Sequence, residues 1–118
     1  MAWSVEHTDE FAEWFRDLSE AQQDDLVAAG LLLIEQGPQL PFSSGINGSK
    51  HAHMRELRVQ SGGRPLRVFY AFDPRRSAIL LIGGDKTGDD RFYERMVPIA
   101  DQLYDVYIAE IRKEGLIT

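Results

Sequence analysis

Arg67, Lys86 and Tyr93 are the residues of this 118-residue chain whose types and spacing could do chemistry. Leu66 to Asp73 reads as a strand, with Leu66, Val68, Tyr70 and Phe72 on one face and Arg67, Phe69, Ala71 and Asp73 on the other. Arg67 thus projects from a sheet among apolar neighbours. It is either paired with an acid such as Glu56 or Asp85, or turned to a cleft where its planar fork can hold a phosphate. Buried charges are normally paired, so residue type alone leaves both open. Gly83-Gly84-Asp85-Lys86-Thr87-Gly88 ends the following strand and places Lys86 at its exit, beside Arg67. The run is not a phosphate-binding P-loop, because the Walker spacing and the Gly-Lys-Ser/Thr order are absent. Tyr93, with Arg91 and Arg95, lies in the turn after it, where a tyrosine ordinarily packs half-buried with its hydroxyl wet. Lys50, His51 and His53 flank a strand carrying Arg55 and Arg58, and two histidines so placed in a loop read as surface residues.

These groups suit RNA cleavage without a metal. There the 2′-hydroxyl attacks the adjacent phosphorus, so the site needs a proton acceptor, a proton donor for the 5′-oxygen and cations facing the charged transition state. Arg67 and Lys86 supply the cations. Tyr93 or a histidine could move protons, although a tyrosine with its ordinary pKa of about 10 needs basic neighbours to act as a base at neutral pH. The chain has no cysteine, so disulfides and thiolate metal sites are excluded, and its three histidines lack paired metal-ligand spacing. No metal and no other cofactor is expected. No Ser-His-Asp order competes.

The elements that must position these residues follow from periodicity. Trp3 to His7 alternates as a short strand does. Thr8 or Asp9 can cap a helix whose Phe11, Trp14, Phe15 and Leu18 share one face. Ser19 and Gln22 have capping-box spacing, and Leu26, Val27, Leu31 and Ile34 continue a second helix until Gly37-Pro38. Residues 37–50, rich in Gly, Pro and Ser, read as an irregular surface loop. Residues 54–59, 66–73 and 77–84 then form three strands on short connections, an antiparallel meander. Ala78 to Ile82 is apolar throughout and reads as the central strand. Residues 89–114 keep helical spacing, with Pro98 expected to start a new helix or kink this one. The expectation is one α+β domain over residues 1–118: two N-terminal helices and a C-terminal helix packed on a mainly antiparallel four-stranded sheet.

The net charge of −6 speaks at first against nucleic acid, but the charge is unevenly spread. Residues 1–48 hold one basic residue, Arg16, against nine acidic ones, whereas residues 49–95 hold ten basic against six acidic. A local anion-binding surface on an acidic protein reads this way, as does an ordinary solvated sheet. The acidic N-terminus and the short apolar runs give no signal peptide and no membrane span, and a reducing cytoplasm is the expected compartment.

Met54-Arg55-Glu56-Leu57-Arg58-Val59, Gly63-Arg64-Pro65-Leu66-Arg67-Val68-Phe69-Tyr70-Ala71-Phe72-Asp73-Pro74-Arg75-Arg76 and Ile79 to Gly88 resemble the phage-derived branch of the HigB toxins, in the RelE/ParE superfamily. Ile99 to Asp105 is similar to the same branch, so the likeness covers about half of the chain. The resemblance implies a RelE-like sandwich and the toxin of a type II toxin-antitoxin pair. It implies an endoribonuclease that cuts messenger RNA on the translating ribosome. It also implies neutralisation by a HigA-type helix-turn-helix antitoxin, through which alone DNA would be bound. By position, Arg67 matches the family's strand arginine, Lys86 the basic residue after the last strand, Tyr93 an aromatic residue near the scissile phosphate, and Arg58 and Arg55 basic positions on the preceding strand. Arg67, Lys86, Tyr93 and Arg58 are then the catalytic candidates; Lys50, His51, His53, Arg55, Arg64, Arg91 and Arg95 are the RNA-binding ones. The alternative is a non-catalytic module of the same fold that engages an antitoxin or phage protein, and its sign would be Arg67 and Lys86 locked in salt bridges. The antitoxin could cover the cleft or bind the acidic helices of residues 9–35.

Overall fold

A computed structural model describes residues 3–118, and its elements run in the order β1 (Ser4–His7), α1 (Asp9–Arg16), α2 (Glu20–Gln36), a 3-10 turn (Gly37–Gln39), β2 (Ser43–Gly45), β3 (Arg55–Ser61), β4 (Arg64–Phe72), β5 (Ser77–Asp85) and α3 (Phe92–Lys113). The helix starts obey local chemistry. The Thr8 hydroxyl accepts from the Phe11 amide at 3.0 Å and caps α1, while Ser19 and Gln22 close a reciprocal capping box on α2.

The sheet has five strands in the order β1-β5-β4-β3-β2, one more than expected. The additional strand, β2, lies inside the segment read as an irregular loop. Its three residues carry no alternation to announce it, and pairing with β3 (Ser44 opposite Glu56) defines it. β1 runs parallel to β5, with Val5 opposite Ala78, so the sheet is mixed. The middle position belongs to β4, and β5 is the inner strand beside it. Pro98 neither starts a helix nor divides one: α3 runs unbroken across it.

Both faces of the sheet are covered, as an uninterrupted apolar strand requires. On one face Leu57, Val59, Leu66, Val68, Tyr70 and Ala78 pack under α1 and α2; on the other Phe69, Ala71, Ile79 and Leu81 pack under Phe92, Met96, Ala100 and Tyr104 of α3. Gly83 and Gly84 are glycines for close approach rather than for turning. A Cβ at Gly83 would stand 2.2 Å from the Trp14 ring, and one at Gly84 2.8 Å from Phe92, so the helices can seat their aromatic side chains against bare backbone. The β3–β4 hairpin closes on Gly62 and Gly63, both at positive φ (59° and 79°), as a two-residue turn of the primed type demands. That turn fixes the register on which the site depends, with Arg58 opposite Arg67 and Glu56 opposite Phe69.

Candidate active site

On the α3 face, the hairpin register carries Glu56 and Arg67 to neighbouring positions, and the first turn of α3 lowers Tyr93 onto them. The Tyr93 hydroxyl donates to Glu56 Oε1 at 2.6 Å, and Arg67 Nε approaches the same oxygen at 3.3 Å and the Tyr93 oxygen at 3.4 Å. Arg67 Nη1 also donates to the Leu66 carbonyl at 3.1 Å. The ion pair is largely withdrawn from water, its side chains 13% and 9% exposed. Burial, and after it the bond to Glu56, push the Tyr93 hydroxyl above its ordinary pKa. Tyr93 is therefore held as a neutral proton donor, not as a base.

Glu56 and Tyr93 line a cleft of about 390 Å³ whose far wall is Gly45, Ile46 and Asn47. Lys86 Nζ stands 5.7 Å from the Tyr93 ring centroid, within cation-π range, and no carboxylate among the described residues pairs with it. The site thus joins one paired cation, one unpaired cation, a carboxylate and a phenol. Glu56 is the member that the sequence reading treated only as a pairing partner for Arg67. Counting outward from the Gly62-Gly63 turn places it on the Arg67 face, which was the available signal.

Of the other candidate residues, Arg58 stands opposite Arg67 on the neighbouring strand without joining the hydrogen-bonded cluster, and the rest are held by other partners or exposed. Arg58 shares the face of Arg67, but it is exposed and its guanidinium donates to the Pro41 carbonyl at 3.2 Å. Arg55 faces the opposite side of the sheet and ties Ser43 Oγ (3.1 Å) to the Pro38 carbonyl (3.3 Å). Strand alternation explains the difference, since Arg55 and Glu56 are adjacent and must point to opposite faces. Lys50, His51 and His53 turn to α3: Lys50 pairs with Asp105, His51 Nε2 meets Asp105 at 2.8 Å, and His53 Nε2 meets the Tyr104 hydroxyl at 3.1 Å. Buried Asp101 anchors the same loop by accepting from Ser49 Oγ and the Lys50 amide. Burial, then the neighbouring His51, lower the His53 pKa below 6.5. These residues are a clasp between loop and helix, and the sequence could not show it because Asp101 and Asp105 lie some fifty positions away.

Local pairing also divides the basic middle segment. Arg64 meets Asp85 at 3.0 Å and Arg95 meets Asp89 at 2.7 Å. Arg75 is bound by Asp73, Glu6 and Tyr107, and Arg76 lies over the Trp3 ring at 4.3 Å. Arg91 is exposed. Among the described residues these local pairs break up the cationic surface; Lys86, beside the cleft, and the exposed Arg58 and Arg91 have no carboxylate partner there.

Residues 13–105 match the family model of phage-derived Gp49-like proteins. The chain is 40% identical over 99 residues to HigB3, a toxin candidate of Mycobacterium tuberculosis, covering 81% of this chain and 85% of that protein. It belongs to the phage-derived Gp49-like family of HigB-type toxins. A second Mycobacterium tuberculosis toxin candidate, HigB2, is 32% identical over 114 residues, and the chain spans 56% of its length. Among solved structures, a free mutant of the Escherichia coli toxin RelE superposes with a TM-score of 0.61 at 12% identity, over 81% of this chain and 96% of that one. RelE in the intact Escherichia coli RelBE toxin-antitoxin complex superposes with a TM-score of 0.57 at 13% identity, over 70% and 95%. At such identities the two structures establish the RelE-like fold of this HigB-type chain and not its chemistry.

Proposed function

We propose that this HigB-type toxin is a metal-independent endoribonuclease that cleaves messenger RNA on the translating ribosome, in the cytoplasm, and that a HigA-type antitoxin neutralises it. The observation that carries the chemistry is the Glu56-Tyr93-Arg67 cluster at a cleft, with Lys86 beside it. Glu56 accepts the proton of the attacking 2′-hydroxyl as that oxygen bonds to phosphorus. Once protonated, it releases Tyr93, whose hydroxyl gives its proton to the 5′-oxygen as the phosphorus–oxygen bond breaks. Arg67 and Lys86 oppose the negative charge that builds on the phosphoryl oxygens. Electrostatic stabilisation of this kind is commonly the largest contribution, and a partly dry cleft strengthens it. RNA contacts by Arg58 and Arg91, both exposed, would continue from the cleft along the surface.

The antitoxin belongs to this reading because RelE, the partner of RelB in a solved complex, shares the fold. One observation favours the second reading, a binding module without catalysis: Arg67 is already paired with Glu56. Tightly controlled expression of the wild type and of the Arg67→Ala and Lys86→Ala variants, with folding checked and messenger RNA ends mapped, separates the two. Growth arrest with new RNA ends from the wild type alone supports the nuclease. Absence of both from the folded wild type selects the binding module.

A further inference from the structure

The far wall of the cleft carries a side chain that the cleavage chemistry does not use. Ile46, Asn47 and Gly48 are the crown of a short loop pinned at both ends. On one side Gly45 is paired in the sheet opposite Arg55; on the other, Ser49 Oγ donates to buried Asp101 at 2.5 Å and the Lys50 amide donates to the same carboxylate at 3.1 Å. Ile46 is half-buried against the core under α3, and Asn47, exposed, lines the cleft with Glu56 and Tyr93. The turn itself does not call for an asparagine. Gly48 takes the left-handed position at φ 89°, and Asn47 does not share it. Among the described residues the Asn47 carboxamide has no hydrogen-bond partner, so a fixed backbone presents a free donor and a free acceptor to the cleft.

The chemistry of this wall decides what it can read. At about 390 Å³ the cleft is within the size range of small-ligand sites. Bases of single-stranded RNA can splay out, pack a face against a side chain and offer an edge to polar groups. Ile46 supplies apolar surface for the face. Gly45, Ile46 and Asn47 carry no charge, so this wall discriminates by hydrogen bonds and not by attraction to phosphate. A carboxamide sets one donor beside one acceptor, and the N6 amino group and N7 of adenine match that pair. Guanine, with acceptors at both O6 and N7, would set one acceptor against another.

We propose that Asn47 is a specificity-determining residue, which reads the N6 and N7 edge of an adenine adjoining the scissile phosphate while Ile46 packs against the base; this rests on the nuclease function proposed above. The test compares cleavage by the wild type, Asn47→Ala and Asn47→Asp in a translating extract, with circular dichroism and thermal melts confirming their folds. The substrates are otherwise identical messages carrying A, G, C or U at each position flanking the cut. The wild type is expected to favour adenine over guanine at one flanking position by about 5- to 150-fold, the worth of one bidentate pair. Asn47→Ala is expected to bring that ratio to about threefold or less, with the adenine message losing more rate than the guanine one. Asn47→Asp, whose carboxylate accepts but cannot donate, is expected to lose the adenine preference and to favour cytosine, whose N4 amino group donates, over guanine. A merely weakened fold would slow all four messages alike and leave the ratios unchanged. An adenine-to-guanine ratio below about fivefold in an active wild type, or one unchanged in both folded variants, overturns the role of Asn47 and leaves the nuclease intact. A folded wild type that cuts none of the messages overturns both.

Discussion

Replacing Glu56 by Gln separates the two roles the cluster can have. Glu56 Oε1 receives the Tyr93 hydroxyl at 2.6 Å and Arg67 Nε at 3.3 Å, and both members of the ion pair are mostly buried. Deleting one partner of a buried pair costs about 3–5 kcal/mol, because the remaining charge is stranded. Gln costs less. Its volume matches, its carbonyl oxygen can still accept from Tyr93, and Arg67 keeps the Leu66 carbonyl. What disappears is the charge-assisted part of two contacts, roughly 1–2 kcal/mol in total, or about 5–10 °C in Tm for a domain of this size. Loss of the proton acceptor is a much larger effect on rate, about 10²–10⁴-fold. The assay is paired: a thermal melt of the purified variant, and single-turnover cleavage of messenger RNA in a translating extract well below its Tm. The expected result is a modest fall in Tm with cleavage reduced at least a hundredfold. Cleavage within threefold of wild type would refute Glu56 as the proton acceptor. A rise in cleavage would refute it more sharply, since it would show that Glu56 restrains Arg67.

Three further outcomes follow from the same geometry. Lys86→Ala should leave Tm within about 2 °C, because no carboxylate among the described residues pairs with Lys86, yet lower cleavage at least tenfold; thermal melts and mapped RNA ends check both. Gly83→Ala should destabilise by 2 kcal/mol or more (~), since its Cβ would stand 2.2 Å from the Trp14 ring, whereas Gly30→Ala, in open space on a helix, should stabilise by about 0.5–1 kcal/mol; urea titrations read the two signs. The His53 pKa is lowered in the folded chain, so its contribution to stability is complete above the unfolded value of 6.5 and is lost as pH falls through the lower folded one; His53→Gln should flatten the decline of Tm measured below pH 6.5.

The fold was legible where local physics decides it. Thr8, Ser19 with Gln22, and the alternation of residues 66–73 announce their elements because a cap or a strand face is encoded within a few positions. β2 was not legible, because three residues of Ser and Gly form a strand only once β3 offers them partners. The site divides along the same line. Arg67 could be placed on its face by alternation, but its pairing with Glu56 and Tyr93 depends on a hairpin register and on where α3 begins. Lys50, His51 and His53 were drawn toward the RNA side by their charge and their nearness to β3, whereas long-range partners on α3 hold them elsewhere. A run of cations in sequence is therefore a weak guide to a patch in space when each can reach a carboxylate of its own.

The two faces of the sheet also bear on how neutralisation would work. Glu56, Arg67 and Tyr93 belong to the α3 face, whereas a groove of about 280 Å³ between α1 and α2, lined by His7, Phe11, Phe15, Arg16, Val27 and Leu80 among others, opens on the other, so β3, β4 and β5 stand between them. A helix in the groove would leave the cleft open and act by bulk, barring the chain from the ribosome and not from a nucleotide. With antitoxin bound, a dinucleoside phosphate should then still perturb the Tyr93 and Lys86 resonances in an NMR titration, at concentrations within threefold of those needed by the free toxin. Cleavage of ribosome-bound messenger RNA by the same complex should be lost. If the antitoxin instead abolishes both, it reaches the cleft itself, and the groove is at most one anchor of a longer segment that wraps the sheet edge.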